Sequence, residues 1–242
     1  MTHALPYWHV DAFADRPFAG NQAAVMPLEN WLDDAVMLAI AEENLFAETA
    51  FVVRDTTAEA DWELRWFTPT EEVRLCGHAT LASGHVLLAR DGGERVTFRT
   101  RRAGLLAVER SGDAYELALP LIRTERGDWP EAVALLGAQP QEVWLNPDGY
   151  GVYLFADAPT VSALDPDLRG LGALGNDQFI CTAPGTDTDV VSRVFVPGGG
   201  VDEDSFTGSA HAALTYFWAE RLGRESFSAF RSEERRVGKE CP

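Results

Sequence analysis

The sequence predicts an α+β fold of two pseudo-symmetric lobes, each a curved, mostly antiparallel sheet wrapped around a central buried helix. Three observations carry this reading. The first is a repeat. Arg65, Phe67 and Pro69 spell R-x-F-x-P ahead of Cys76-Gly77-His78-Ala79, and Arg193, Phe195 and Pro197 spell it again ahead of Thr207-Gly208-Ser209-Ala210. The copies are offset by 128 residues at the arginine and 131 at the glycine, so the second loop is three residues longer. A single repeat at half the length of a 242-residue chain makes two lobes, whereas a solenoid needs a much shorter period. The second is that an apolar stretch follows each glycine, Ala79 to Ala89 and Ala210 to Ala219. A helix apolar on all sides is enclosed, not laid on a surface, and about 16 Å for 11 residues is too short to cross a bilayer. The third is that strands come in runs and do not alternate with helices, the mark of an α+β chain.

Taken in order, Tyr7 to Phe13 reads as a strand. The turn Pro17-Phe18-Ala19-Gly20-Asn21 leads to a second, Ala23 to Met26. Leu32, Ala35, Val36 and Ile40 recur at helical spacing from about Leu32 to Glu43, with Asn30 as the expected cap. Glu48 to Val53 and Glu63 to Phe67 read as strands. Val96 to Thr100, Leu105 to Arg110 and Tyr115 to Leu119 form a meander turning at Gly104 and Ser111-Gly112-Asp113. The second lobe repeats the order, with a short helix near Pro130 to Leu136. Strands follow near Val143, Val152 to Ala156, Gln178 to Thr182 and Val190 to Val196. The expected lobes are residues 1–119 and 120–230.

Composition narrows the function. Twenty Lys and Arg against 38 acids give a net charge of -18, which leaves no basic face for nucleic acid. A small anionic substrate stays compatible, because a binding site is a local field. Three cysteines (Cys76, Cys181 and Cys241) make no disulfide framework and suit a reducing compartment. Met1-Thr2-His3-Ala4 carries no charged or apolar leader pattern, and no charge-free run reaches 18 apolar residues. The expected location is the cytoplasm, with no membrane partner.

The chemistry-bearing candidates cluster around the two repeats. Gly77 and Gly208 stand before the apolar helices, where free N–H groups and the positive dipole end suit a carboxylate. The plain alternative is a tight turn into a helix. Glu48 opens an apolar strand and could shuttle a proton from a core edge, or simply be a solvated strand end. Asp204 follows Asp202 and Glu203 in an acidic run that favours the next helix dipole. His78 could serve as acid, base or donor, or be structural. Cys76 invites a thiol reading, but its counterpart is Thr207, so a symmetric two-thiol relay cannot form. Gly170-Leu171-Gly172-Ala173-Leu174-Gly175 spells G-x-G-x-x-G, but Leu164 to Arg169 before it reads as a Pro/Asp-rich turn and not a strand, and Asn176-Asp177 follows in place of a helix, so dinucleotide binding is not expected. The five histidines lack metal spacing, so neither metal nor cofactor is expected.

Together, Phe18-Ala19-Gly20-Asn21, Glu48-Thr49-Ala50-Phe51-Val52, Arg65-Trp66-Phe67-Thr68-Pro69, Cys76-Gly77-His78-Ala79-Thr80 and Thr207-Gly208-Ser209-Ala210-His211 resemble the phenazine-biosynthesis PhzF-like isomerases, in order, from about Pro6 to Phe230. The resemblance implies a diaminopimelate-epimerase-like fold and a cofactor-independent proton shift within a small carboxylate-bearing substrate. The family's best-known substrate is a dihydro-hydroxyanthranilate. It implies Glu48 as acid/base in a cleft between the lobes, with His78 and Asp204 orienting the substrate and assisting the transfer. Gly77, Gly208 and Ser209 would hold its carboxylate, with Asn21 also on the substrate side, in a homodimer. Two further readings stay open: an amino-acid racemase or epimerase, which would need Cys76, and a catalytically silent binding protein. Gln22 replaces the family's usual proline. Residues 231–242 lack strand alternation and read as a non-native tail in place of further strands, which would leave the second sheet with unpaired edges.

Overall fold

The computed structural model describes residues 4–14, 16, 18, 20–204, 208–224 and 226–231. Thr207 and nearly all of the expected tail lie outside the described residues. The chain divides into two compact units, Met1–Pro120 with Phe206–Ser209, and Leu121–Ser205 with Ala210–Pro242. Gly208 and Ser209 thus group with the first unit, away from their sequence neighbours.

The first unit is built from β1 (Trp8–Ala12), β2 (Asn21–Leu28), α1 (Asp34–Asn44), β3 (Glu48–Arg54), β4 (Trp62–Phe67), β5 (Glu72–Val73), α2 (Gly77–Asp91), β6 (Arg95–Thr100), β7 (Leu105–Ser111) and β8 (Ala114–Ala118). Its sheet runs β1-β2-β3-β4-β6-β7-β8, with β5 paired to β4. Pairing is antiparallel except at β2/β3 and β4/β6, where α1 and α2 return the chain to the same end. β2 and β3 are apolar without alternation because both faces are covered. Val25, Ala50 and Val52 face a cluster with Ala79, Ala82 and Val86 of α2, while Met26 and Phe51 face Met37 and Ala41 of α1. α2 contacts β1, β2, β3, β6, β7 and β8, so the sheet curls around it as its all-round apolar sequence requires. Gly84 admits β7, since a Cβ there would lie 2.5 Å from the Val108 side chain.

The second unit comprises β9 (Glu125–Gly127), α3 (Pro130–Leu135), β10 (Glu142–Asn146), β11 (Tyr150–Leu154), α4 (Ala158–Ser162), α5 (Leu168–Leu174), β12 (Gln178–Pro184), β13 (Val190–Val196), a 3-10 turn at Pro197–Gly199, β14 (Val201–Asp204), α6 (Gly208–Leu222) from Ala210 onward, and β15 (Ala229–Arg231). Its sheet runs β14-β13-β12-β11-β10-β9, with β15 on β13. Ala210, Ala213, Leu214 and Phe217 of α6 pack on Val152, Ile180, Val190 and Val194. Phe179, Cys181 and Phe195 face α3, α4 and α5 from the other side. Burial pushes the Cys181 thiol pKa well up, so it stays a neutral core residue.

Register shows how deep the repeat goes. Phe51 pairs with Arg65 and Thr49 with Phe67; Cys181 pairs with Arg193 and Phe179 with Phe195. Phe67 faces Glu72, as Phe195 faces Glu203. Each R-x-F-x-P arginine then uses that glutamate. Arg65 donates Nε and Nη2 to the two Glu72 carboxylate oxygens at 2.7 and 2.6 Å. Arg193 donates the same two nitrogens to Glu203, both at 2.8 Å. The motif is therefore an internal clamp joining two neighbouring strands. The three extra residues of the second copy are taken up at the 3-10 turn, beside a register shift at Phe195/Val196.

Several local expectations are corrected. α1 starts after Asp33, without a side-chain cap, and not from Asn30. Leu168 and Arg169, expected in a turn, open α5, and the Gly170 to Gly175 run continues it as far as Leu174. The Asp167 carboxylate at its start accepts from the Gly170 N–H at 2.9 Å. β5, β9, β14 and α4 were not foreseen; at two to five residues each, they owe their form to packing and not to propensity.

Acid sensitivity follows from the carboxylates of the first unit. Hydrogen bonds from Thr57 and Arg99 hold the Asp55 carboxyl well below its usual range, outweighing the effect of burial. Arg65 likewise lowers Glu72 and Asp34. Carboxyls depressed in the folded state stabilise it above about pH 4, and that contribution fades as pH falls through their folded values. Thermal melts should therefore shift to lower temperature as pH drops from about 4 to about 2. The shift should be shallower in Asp55→Asn; an equal slope in both would remove Asp55 from the explanation.

Candidate active site

Parallel pairing of β2 and β3 puts their first residues on one sheet edge, with Ala23 opposite Glu48. The first turn of α2 sits at that edge and brings His78 between Asn21 and Glu48. Asn21 Nδ2 lies 3.1 Å from His78 Nδ1, and Cys76 Sγ lies 3.5 Å from the same nitrogen. On the other side of the ring, His78 Nε2 lies 3.3 Å from Glu48 Oε2. Asn21, Cys76 and His78 are buried, whereas the Glu48 side chain keeps 15% of its surface exposed. The acid is thus the member of this group that a substrate can reach. The Asn44 amide steadies the start of β3 by donating to Thr49 Oγ1 at 2.9 Å. The Thr80 hydroxyl and its own N–H both donate to the Cys76 carbonyl, fixing the entry into α2.

The two glycine turns are in backbone contact within the first unit. A Cβ built on Gly77 would stand 2.6 Å from the Gly208 Cα, and one on Gly208 would stand 2.5 Å from the Gly77 Cα. Two helix starts meet there, each with N–H donors that the helix itself does not use. Ser209, the second residue of α6, is buried beside them. Asp204 is buried at the end of β14 in the second unit, across from Val194. By register its counterpart in the first unit is Val73, so the acid belongs to one copy alone.

Glu48, Cys76 and His78 offer ligand atoms within 4.8 Å of one another, a grouping that histidine spacing did not reveal. The thiol lies by Nδ1 and the carboxylate by Nε2, whereas one ion would need both beside the same ring nitrogen. This arrangement does not suit one coordination sphere: the ring is hydrogen-bonded at Nδ1, and its Nε2 approaches Glu48 at a distance without hydrogen-bond alignment. Cys76 reads from sequence as a nucleophile or racemase thiol; its contact with the His78 ring was missed, although a spacing of two across a helix start could have suggested it. The Glu72 and Glu203 partners were also missed. The offset of 131 that relates the glycines relates these glutamates too, and was a usable signal.

Residues 10–238 match the family model described as phenazine biosynthesis-like protein, PhzC-PhzF. The chain belongs to this family. An uncharacterized isomerase of Pseudomonas aeruginosa is 45% identical over 240 residues, covering 98% of this chain and 90% of that one. The crystal structure of a PhzF-family phenazine biosynthesis protein from Enterococcus faecalis superposes with a TM-score of 0.83 at 40% identity, covering 95% of this chain and 87% of that one. A probable proline racemase from Agrobacterium radiobacter, at a TM-score of 0.63 and 12% identity, shares the fold. The expected epimerase-like architecture is thereby borne out, and the relatives support an isomerase-type function. Among the described residues, no helix is long and apolar enough to cross a membrane.

Proposed function

We propose that this PhzC-PhzF family protein is a cofactor-independent isomerase that moves a proton within a small carboxylate-bearing substrate. The observation that carries the reading is the Glu48–His78 pair at the start of α2, with Glu48 the more open of the two. In this mechanism the Glu48 carboxylate removes a proton from one carbon and returns it to another. Backbone N–H groups at Gly77, Gly208 and Ser209 hold the substrate carboxylate and offset the charge that develops beside it. His78 steadies Glu48, and Asp204 orients the substrate. The protein works in the cytoplasm as a homodimer, without a nucleic-acid or membrane partner.

The test is proton exchange. The protein is incubated in D₂O with a panel of amino acids and cyclic unsaturated carboxylates, a dihydro-hydroxyanthranilate included, and deuterium uptake is followed by NMR. Glu48→Gln should slow uptake into the responding compound by about 10²- to 10⁴-fold. Equal uptake in the variant and the parent would take Glu48 out of the mechanism.

A further inference from the structure

We propose that Asn21 is a positioning residue that sets the tautomer of His78, presenting the ring's one proton to Glu48. An amide nitrogen carries donors only, so Asn21 Nδ2 at 3.1 Å requires His78 Nδ1 to be the acceptor. A neutral imidazole has one N–H, which must then be on Nε2, the nitrogen 3.3 Å from Glu48 Oε2. The Cys76 thiol, 3.5 Å from Nδ1, acts in the same sense as an S–H donor. Both groups are nearly fully buried, at 5% and 4% exposure, so bulk water does not compete for Nδ1 as it would at a surface. The three side chains come from β2, the residue before α2 and α2 itself, and their convergence is a product of the fold.

The consequence for chemistry, which rests on the isomerase reading above, is that His78 turns its N–H side toward Glu48 and does not serve as a second base. Its lone pair is directed to Asn21 and Cys76, and its proton to the carboxylate. A ring fixed in this way faces Glu48 with its N–H side, 3.3 Å away, while the carboxylate alone exchanges protons with the substrate.

The experiment needs no substrate. The full chain is labelled with ¹⁵N-histidine and its two-bond ¹H–¹⁵N correlations are recorded; the His78 ring is assigned by its loss in His78→Gln. The expected pattern is a protonated Nε2 and an unprotonated Nδ1. Asn21→Asp presents only acceptors to Nδ1, and should move the proton there or add a second one. Asn21→Ala should let the two tautomers interchange. A wild-type ring protonated on Nδ1, as the opposite amide orientation would give, overturns the proposal. So does a wild-type pattern kept in both Asn21 variants, which would leave the amide without control over the ring. Should either variant fail to fold, the wild-type spectrum still decides the tautomer, and Cys76→Ser tests the second donor. If no compound takes up deuterium while the Nε2–H pattern holds, the isomerase reading fails and the positioning role of Asn21 stands.

Discussion

Glu72→Ala is expected to cost about 3–5 kcal/mol of stability, more than Arg65→Met. The two partners of this clamp are not equally buried. The Arg65 side chain is 1% exposed, whereas Glu72 is 19% and Asp34 69% exposed. Removing Glu72 takes the bidentate acceptor from a guanidinium that water cannot reach, and leaves it mainly Asp34. Removing Arg65 leaves two acids that can both be hydrated, and methionine can occupy the apolar slot between Trp31 and Phe67, whose ring centres lie 5.3 and 5.0 Å from the guanidinium carbon. Urea unfolding of the two single variants and of the Arg65→Met/Glu72→Leu double variant gives the comparison. The double variant should be more stable than Glu72→Ala; a larger loss for Arg65→Met than for Glu72→Ala would show that packing, not the stranded charge, sets the cost. The same change in the second unit, Glu203→Ala, should be milder. Arg193 is 14% exposed and also donates to the Leu164 carbonyl at 2.7 Å.

Gly77→Ala should be damaging by a different route. The three nearest neighbours of the added methyl are all Gly208 backbone, at 2.6, 3.3 and 3.4 Å, so the closest clash cannot be relieved by swinging a flexible side chain aside. Overpacking of this kind costs about 1–3 kcal/mol, or more where the surroundings are rigid. With about 2–4 °C lost per kcal/mol at this chain length, the melting temperature should fall by roughly 2–12 °C. The larger effect is on chemistry, because forcing the two helix starts apart dismantles the N–H cluster assigned to the substrate carboxylate. Deuterium uptake should be lost in Gly77→Ala and Gly208→Ala alike, even below the melting temperature. Wild-type uptake and melting in either variant would mean that the close approach matters to neither stability nor function.

Much of this fold was legible because its signals are local. Glycine at 77 and 208, proline at 69 and 197 and the unbroken apolar runs behind them each report a backbone or burial requirement of their own position. Strand limits were readable where burial alternates, as in β6, and came out short in β2, which is covered on both faces and runs on through Pro27 to Leu28. α5 was not foreseen because two glycines in its seven residues are poor helix formers. It is held by the Asp167 cap and by Leu171 in the core, neither of which propensity records. Asp204 was singled out from an acidic run, but its burial and its place opposite Val194 came from strand register.

What the chain determined by itself is the duplication: two arginine–phenylalanine–proline strands, two glycine turns and two enclosed helices follow from residue type and spacing. What only the tertiary structure decided is who meets whom. Asn21 and His78 are 57 positions apart, and their contact depends on β2 and β3 running parallel from one edge, with α2 starting at that same edge. Pairing of that range is set by the register of the sheet and the curl around the helix, and neither is written in any local stretch of sequence.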